Sequence, residues 1–197
     1  ELWLRAHESA LASVTAGNGA IYAVRPAAYI EVDPVMGHDL SFPFNMVKRG
    51  WRAIYAPEAL AMEKMVPSIE GEWQRKRRMM SHAWPIVLRG GLLSPRGYPP
   101  LYAAMILSHR ALRYATPLLH FGLAVATLPL LRRPLYRAAA AVQAALIVAA
   151  LAGARVPRRP LLLARYYVLT TAALAAGLYD HLRHGTPAGW EAPEGTR

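Results

Sequence analysis

Residues 37–79 read GHDLSFPFNMVKRGWRAIYAPEALAMEKMVPSIEGEWQRKRRM, and this stretch decides how the chain is organised. It opens with Gly37 and His38 before Asp39, and it closes with a dense run of cations. Between these ends the apolar residues first have the spacing of a helix and then alternate as in a strand. The stretch therefore predicts a helix, a strand and a second, strongly basic helix, in that order.

The first part of this stretch predicts a helix that ends at a glycine. Apolar residues between 40 and 47 have roughly helical spacing, and Gly50 lies where a C-terminal cap belongs. Pro43 then falls in the first turn, where its missing N–H costs little. Residues 51–55 alternate as in a strand, so the unit is an α/β element.

Two further elements are predicted upstream. Residues 1–11 suit a helix, and the Gly17-Asn18-Gly19 turn leads into an apolar run at 20–24 that fits a buried strand. Asn18 is explained equally well as a turn residue that tolerates a positive φ angle. These elements add a helix and a strand to the helix–glycine–strand unit.

The basic helix is predicted from about residue 68 to residue 84, with Ser68 as its N-cap. Residues 74–78 are five consecutive polar residues, four of them cationic, and cannot all face a core. A solvated face is the ordinary explanation. A phosphate site is the alternative, because Arg75 and Arg78 share one face and the helix precedes a membrane-directed segment.

Composition separates the chain into two regions and points to an anionic partner. The first hundred of the 197 residues are mixed, whereas the later part is rich in Leu and Ala. A net charge of +11 favours phosphate groups, a lipid surface or nucleic acid as partner. The absence of cysteine excludes disulfides and thiolate metal sites. Because the first residue is Glu1, we expect the chain to be the C-terminal part of a longer protein.

The apolar region predicts three membrane spans, at residues 114–131, 135–152 and 161–179. Each stretch is long enough to cross about 27 to 29 Å, near the thickness of a bilayer core. A buried helical hairpin of a soluble protein is the alternative. Residues 101–113 are too short to cross, so we predict an interfacial helix whose cations lie among lipid headgroups. Both connections between the spans are basic, which leaves their orientation open.

The chain lacks most signatures of metal and nucleotide sites. No H-E-x-x-H motif or Gly-rich phosphate loop is present, and the only aspartates are Asp33, Asp39 and Asp180. No D-x-D pair is therefore possible, and we expect no metal site in this chain. Asp39 is suited to act as a general base if a substrate hydroxyl lies beside it. The alternative is an N-cap for a helix that starts at residue 40 or 41.

The order of these pieces resembles the C-terminal half of the catalytic domain of membrane-bound family 2 glycosyltransferases, followed by their C-terminal spans. The resemblance covers most of the first 113 residues. The residues that carry it are Glu8-Ser9, Gly17 to Arg25, Gly37 to Leu40, Lys48 to Arg52, Tyr55 to Ala59, Glu63, Glu72-Trp73, Arg75 to Met79, Ser108-His109 and Arg113.

The resemblance implies the latter part of a GT-A type α/β domain and an inverting transfer from a nucleotide sugar. Asp39 matches the general base of the family's E-D motif. The cationic helix matches the Q-x-x-R-W or R-K-x-R segment near the nucleotide diphosphate. The implied site residues are Asp39 as the base, Gln74, Arg75 and Arg78 at the donor diphosphate, and Asn18, Gly19 and His38 near the acceptor.

Two departures from the family pattern bear on function. His38 replaces the usual acidic residue before the base, and Met79 follows Arg78 where the Q-x-x-R-W form has a tryptophan. The second favours a non-processive or short-chain transferase. The resemblance places the D-x-D half upstream, so a divalent metal, Mg or Mn, is expected for the full-length enzyme with ligands outside this chain. The chain by itself is expected to be inactive.

The resulting prediction is a multi-pass protein of the inner (plasma) membrane with a cytoplasmic catalytic part. Its partners would be a nucleotide-sugar donor, a glycan or lipid-linked acceptor of cell-envelope or exopolysaccharide synthesis, and membrane lipids, with no nucleic acid. The alternative is a non-catalytic membrane protein whose basic helix binds anionic lipid or a partner. The predicted divisions are residues 1–98 (catalytic), 99–113 (interfacial), 114–185 (transmembrane) and 186–197 (polar tail).

Overall fold

The computed structural model describes residues 1–62 and 69–189, and in these ranges the chain forms helices joined by irregular segments. The proposed Ser68 cap, Glu63 and most of the polar tail lie outside the described residues. The helices are α1 (Leu2–Leu11), a 3-10 turn (Pro26–Ala28), α2 (His38–Lys48), α3 (Ile69–Leu88), α4 (Pro100–Met105), a π-helical segment (Ile106–Ala111), α5 (Leu112–Thr127), a 3-10 turn (Leu128–Leu130), α6 (Pro134–Ala152) and α7 (Arg159–His184).

The prediction of an α/β, GT-A type domain is wrong for the described residues, which contain no β-strand. Residues 20–23, expected in a buried strand, are exposed and irregular. Residues 51–55 are irregular as well, and Ala53 O accepts a single backbone bond from Val14 N at 2.9 Å. A strand needs a ladder of bonds to a neighbour, and none forms beside either segment in the part of the chain that is described.

Helix α2 forms where its apolar spacing predicts and ends before Gly50, whose φ of 80° suits the left-handed position after a helix. It begins at His38, two residues earlier than expected, so Pro43 lies inside the helix and not in its first turn. Lys48 fixes the C-terminal end. Its Nζ donates to Gly91 O at 2.6 Å and lies 4.7 Å from the centre of the Tyr98 ring.

The two faces of α2 are buried in different apolar clusters. Phe44 is 1% exposed and packs in the larger cluster with Ile86 of α3 and Tyr102 of α4. Phe42 packs in a smaller cluster with Ile30 and other residues of the preceding loop. Helix α2 is therefore fixed on both sides, which holds its N-terminal turn in place.

Helix α3 packs along α7 and joins the first half of the chain to the apolar region. Gly177 makes this close approach possible, because a Cβ there would lie 2.6 Å from Met80 Cβ. Trp84 Nε1 donates to Leu174 O at 2.9 Å. The predicted basic helix is confirmed within the described residues, and it continues one turn beyond the expected end, to Leu88.

Two helices, Pro134–Ala152 and Arg159–His184, are long and apolar enough to cross a membrane by length and composition. They contain the predicted spans at 135–152 and 161–179. The prediction of a third span at 114–131 is wrong for the described residues, which contain two candidate spans; α5 ends at Thr127. Pro129 lies in the 3-10 turn that follows α5.

The predicted interfacial helix is continuous with α5 through the π-helical segment. The expectation that its cations lie among lipid headgroups is wrong for Arg110, which is 5% exposed. Its Nε donates to Thr15 Oγ1 at 2.9 Å. The segment is thus held against the first half of the chain by a buried polar contact.

Candidate active site

Asp39 lies in the first turn of α2, and its backbone is approached by a glycine. Gly37 is the N-cap, and no side chain caps the helix, so the alternative that Asp39 is the cap is wrong. Gly17 N donates to Asp39 O at 2.6 Å, and a Cβ on Gly17 would lie 3.1 Å from that oxygen. The carbonyl of Asp39 is therefore anchored to the loop after α1.

Glycines also surround the Asp39 carboxylate. A Cβ on Gly37 would lie 3.0 Å from Asp39 Oδ1, and one on Gly19 would lie 3.6 Å from Oδ2. In the described ranges, no hydrogen bond or ion pair engages this carboxylate. The group is thus half-buried, anchored through its backbone and available to accept a proton.

Two cavities meet at Asp39, which lines both. The front cavity has a volume of about 550 Å³ and is lined by Asp39, Tyr22, His38, Phe42, Trp51 and Arg52. The rear cavity has a volume of about 380 Å³ and is lined by Asp39, Arg5, Met80, Arg110, Arg113 and Tyr114.

The predicted acceptor-side residues lie around Asp39 with different contacts. Gly19 is next to the carboxylate, and His38 lines the front cavity, where its Nδ1 is 3.2 Å from Tyr22 Oη. Asn18 is exposed, and its Oδ1 accepts a bond from Ala20 N at 3.2 Å. No residue other than glycine has a positive φ in the described chain, so Asn18 is a turn residue without that angle.

The predicted diphosphate residues Gln74, Arg75 and Arg78 line neither cavity at Asp39. Arg75 makes a bidentate contact with Glu72, at 2.8 and 2.9 Å, and these bonds lower the pKa of Glu72. Gln74 lines a separate groove beside Leu169 of α7. The structure therefore places Gly19 beside the Asp39 carboxylate and His38 in the front cavity, whereas Asn18, Gln74, Arg75 and Arg78 line neither cavity.

Sequence reasoning missed the ion pair between Arg77 and Asp180. Arg77 Nε and Nη2 each donate to a carboxylate oxygen of Asp180 at 2.7 Å. An isolated carboxylate in an apolar helix calls for a charged partner, so Asp180 in its apolar surroundings was a usable signal. The basic run directly before that region supplies the partner.

A second missed feature is a buried polar network of Glu8, Thr15, His109 and Arg110. His109 Nδ1 donates to Glu8 Oε1 at 2.6 Å, and Thr15 Oγ1 donates to the same oxygen at 2.9 Å. Burial alone raises the pKa of Glu8, but the hydrogen bonds from His109 and Thr15 outweigh it, so the pKa lies below its ordinary value.

The π-helical segment lies in this network. His109 and Arg110 are adjacent, yet His109 contacts Glu8 and Arg110 contacts Thr15, so both lie against the same buried pair. π-Helical turns occur frequently at functional sites. Tyr102 Oη adds a bond to Val14 O at 3.0 Å. Together these contacts fix the back wall of the site.

The described residues offer no metal centre. Within residues 1–62 and 69–189, no group of three His, Asp or Glu side chains is placed to hold a metal ion. The side chains present thus do not fit a divalent cation, and we derive no chemical step through one.

Comparison with known proteins identified one match. The sequence model of glycosyl transferase family group 2 matches residues 6–157, which is more than half of the chain. That range contains Asp39, the lining of the front cavity, the rear-cavity lining except Glu1 and Arg5, and the basic run of α3. Searches of curated proteins and of solved structures found no match.

Proposed function

The chain belongs to glycosyl transferase family group 2, and on that premise we propose that it moves a sugar from a nucleotide-sugar donor to a glycan or lipid-linked acceptor at a membrane. The observation that carries the proposal is the position of Asp39. Its carboxylate lies between two cavities, has glycines on two sides and is engaged by no described hydrogen bond or ion pair. These are the properties required of a general base.

The proposed step is an inverting displacement. Asp39 accepts the proton of an acceptor hydroxyl, and the oxygen attacks the anomeric carbon of the donor sugar. The bond from that carbon to the diphosphate breaks, and the nucleoside diphosphate leaves with the electron pair. Asn18, Gly19 and His38 would lie near the acceptor, since Gly19 adjoins the carboxylate and His38 lines the front cavity.

Binding of the donor diphosphate by Gln74, Arg75 and Arg78 remains part of the proposal. These residues line neither cavity at Asp39, whereas Met80 of the same helix lines the rear one. The divalent metal expected for the full-length enzyme also stays a prediction, with ligands outside this chain. A role in cell-envelope or exopolysaccharide synthesis at the inner membrane is proposed with it.

The competing function is a non-catalytic membrane protein that docks anionic lipid through α3. The contacts of α3 weaken this alternative. Lys76 Nζ and Arg75 Nε lie 3.3 and 2.8 Å from the Glu72 carboxylate, and Arg77 pairs with Asp180. Much of the positive charge of the run is therefore offset inside the protein.

Asp39→Asn in the full-length protein tests the proposal. The substitution keeps the shape of the side chain and removes the base, so we expect sugar transfer to fall by about 10²- to 10⁴-fold. Transfer of a labelled sugar in membranes, normalised to the amount of inserted protein, is the measurement.

Asp33→Asn is the matched control. Asp33 is exposed, and its Oδ1 accepts a bond from Val35 N at 2.9 Å, which an asparagine oxygen can also accept. This variant should transfer sugar at the wild-type rate. Wild-type transfer by Asp39→Asn would remove Asp39 from the role of base.

A further inference from the structure

The rear cavity has a wall of arginines that neither the composition nor the family match assigns. Arg5 of α1, Arg110 of the π-helical segment and Arg113 of α5 all line it, and Asp39 lies in the same wall. The three arginines come from two parts of the chain about a hundred residues apart in sequence. Only the packing of α1 against the helix from residue 100 to residue 127 brings them together.

Arg110 is the least exposed of the three and has unused hydrogen-bonding capacity. It is 5% exposed, and its Nε donates to Thr15 Oγ1 at 2.9 Å. Its Nη2 is buried and has no hydrogen-bond partner among the described residues. Burying a guanidinium N–H without a hydrogen-bond acceptor destabilises the folded protein, because the group loses its hydrogen bonds to water and gains none in return.

The other two arginines are held loosely. Arg5 Nε lies 3.4 Å from Glu1 Oε1, and Arg113 Nη1 lies 4.0 Å from Glu1 Oε2. A charge-assisted hydrogen bond is about 2.7 to 2.9 Å long, so both pairs are weak and can be exchanged for a stronger anion. Planar guanidinium groups bind carboxylate and phosphate oxygens in pairs, and a phosphate offers more oxygens and more charge to the three arginines than the Glu1 carboxylate does.

Besides the arginines and Asp39, the cavity is lined by Glu1, by His82 and by apolar residues. Leu40, Met80 and Ile86 line it, and Tyr114 also lines a neighbouring cavity of about 240 Å³ formed with Pro117, Leu118 and residues of α7. The cationic wall therefore adjoins apolar surface that extends along α5. A phosphate with a hydrocarbon chain and a free diphosphate both satisfy the cationic part.

We propose that the rear cavity binds a substrate phosphate through Arg5, Arg110 and Arg113, beside Asp39. The phosphate belongs either to the diphosphate of the donor or to a lipid-linked acceptor. The choice of substrates rests on the proposed function, whereas the binding itself does not. In this arrangement the arginines that line the rear cavity with Asp39 come from α1 and the helix after residue 100, and not from the basic run of α3.

Binding by the purified chain in nanodiscs of zwitterionic lipid tests the proposal. The probes are pyrophosphate, dodecyl phosphate and, as an uncharged reference, dodecanol. We expect Arg110→Gln and Arg113→Gln each to weaken phosphate binding by about tenfold or more, the effect of losing one charge-assisted bond. Arg96→Gln removes one exposed charge from a loop outside the cavity and should bind as the wild type does.

The probes separate the two sources of phosphate. Weaker binding of dodecyl phosphate alone assigns the cavity to a lipid-linked substrate, and weaker binding of pyrophosphate alone assigns it to the donor. Arg113→Gln is the deciding variant, because the Arg113 side chain is 45% exposed, whereas Arg110 is buried. Unchanged binding of both phosphates by Arg113→Gln and Arg5→Gln, or an equal loss of dodecanol binding, overturns the proposal.

The outcome is separable from that of the Asp39 experiment. If Asp39→Asn abolishes transfer and the arginine variants bind both phosphates normally, the rear cavity is not a phosphate site and the proposed function stands. If Asp39→Asn transfers sugar normally and the arginine variants lose phosphate binding, the rear cavity is a phosphate site and the proposed role of Asp39 as base fails.

Discussion

The polar network of Glu8, Thr15, His109 and Arg110 differs from the pairs that Arg75 and Lys76 make in α3 in where the partners come from. In that network, whose member Arg110 lines the rear cavity, Glu8 contacts His109, which is 101 residues away. In the α3 run, Arg75 and Lys76 contact Glu72, three and four residues away on the same helix. Contacts of the first kind depend on the tertiary fold, whereas those of the second kind form in an isolated helix.

This difference shows that a dense run of charged residues in the sequence does not by itself locate a binding site. The run at residues 74–78 is the most prominent charged feature of the sequence, yet its ion pairs with Glu72 and Asp180 are internal. Arg110 and Asp39 stand apart from any such run, and the fold places both in one cavity wall. Three substitutions test this comparison, in decreasing order of expected effect.

Glu8→Gln should have the largest effect on stability. Glu8 is 4% exposed and accepts bonds from Thr15 and His109, so removing its charge breaks a buried network. Loss of one partner of such a network typically costs about 3 to 5 kcal/mol. Thermal unfolding in detergent is the measurement, and Glu58→Gln, at an exposed position, is the control. A wild-type midpoint for Glu8→Gln would show that the network is dispensable.

The pH dependence of unfolding gives a second readout for Glu8. Its pKa is lower in the folded protein than in the unfolded chain, so its contribution is fully present above the unfolded pKa of about 4.3 and is lost as the pH falls through the folded pKa. The stability difference between the wild type and Glu8→Gln should therefore shrink on acidification. A difference that does not change with pH contradicts this assignment.

Arg77→Gln should have an intermediate effect, because its pair with Asp180 joins α3 to α7 but is partly solvated. The two side chains are 40% and 23% exposed. We expect a coupling energy of about 1 kcal/mol between Arg77→Gln and Asp180→Asn in a double-mutant cycle. The coupling energy is obtained from the unfolding free energies of the wild type, the two single variants and the double variant. Strict additivity would mean that the pair does not hold α3 against α7.

Arg75→Gln should have the smallest effect on stability. Its partner Glu72 is on the same helix, and such pairs contribute about 0.3 to 0.5 kcal/mol. Sugar transfer by this variant is the sharper measurement, since the family resemblance places Arg75 at the donor diphosphate. A fall in transfer of more than about tenfold without a change in stability would reverse the comparison and assign substrate binding to the α3 run.

The parts of the fold that could be predicted are those governed by local chemistry. Helices α1, α2 and α3 follow from apolar spacing and, for α2, from a terminal glycine, and α6 and α7 follow from long apolar runs. The strands at 20–24 and 51–55 were wrong, because alternation indicates only that a segment suits a sheet. Whether it forms one depends on a neighbouring strand.

Of the candidate site, too, only the residues marked by local chemistry could be proposed from the sequence. Asp39 was selected because its type and position suit a base, and Gly19 lies beside it as the resemblance implies. The position of Arg110 in the lining of the rear cavity was not predictable, because the sequence pattern indicated a cation at the membrane interface. Its burial arises from the bond to Thr15, a residue 95 positions away.

By itself, the sequence determined the family, the helical segments, the apolar runs and the candidate base, since each depends on residue types and short spacings. The tertiary structure alone decided that residues 51–55 do not pair in a sheet, that Arg77 binds Asp180, and that Arg110 lies in a cavity with Asp39. These contacts join residues far apart in the chain. Their formation depends on how the helices pack, which no local pattern specifies.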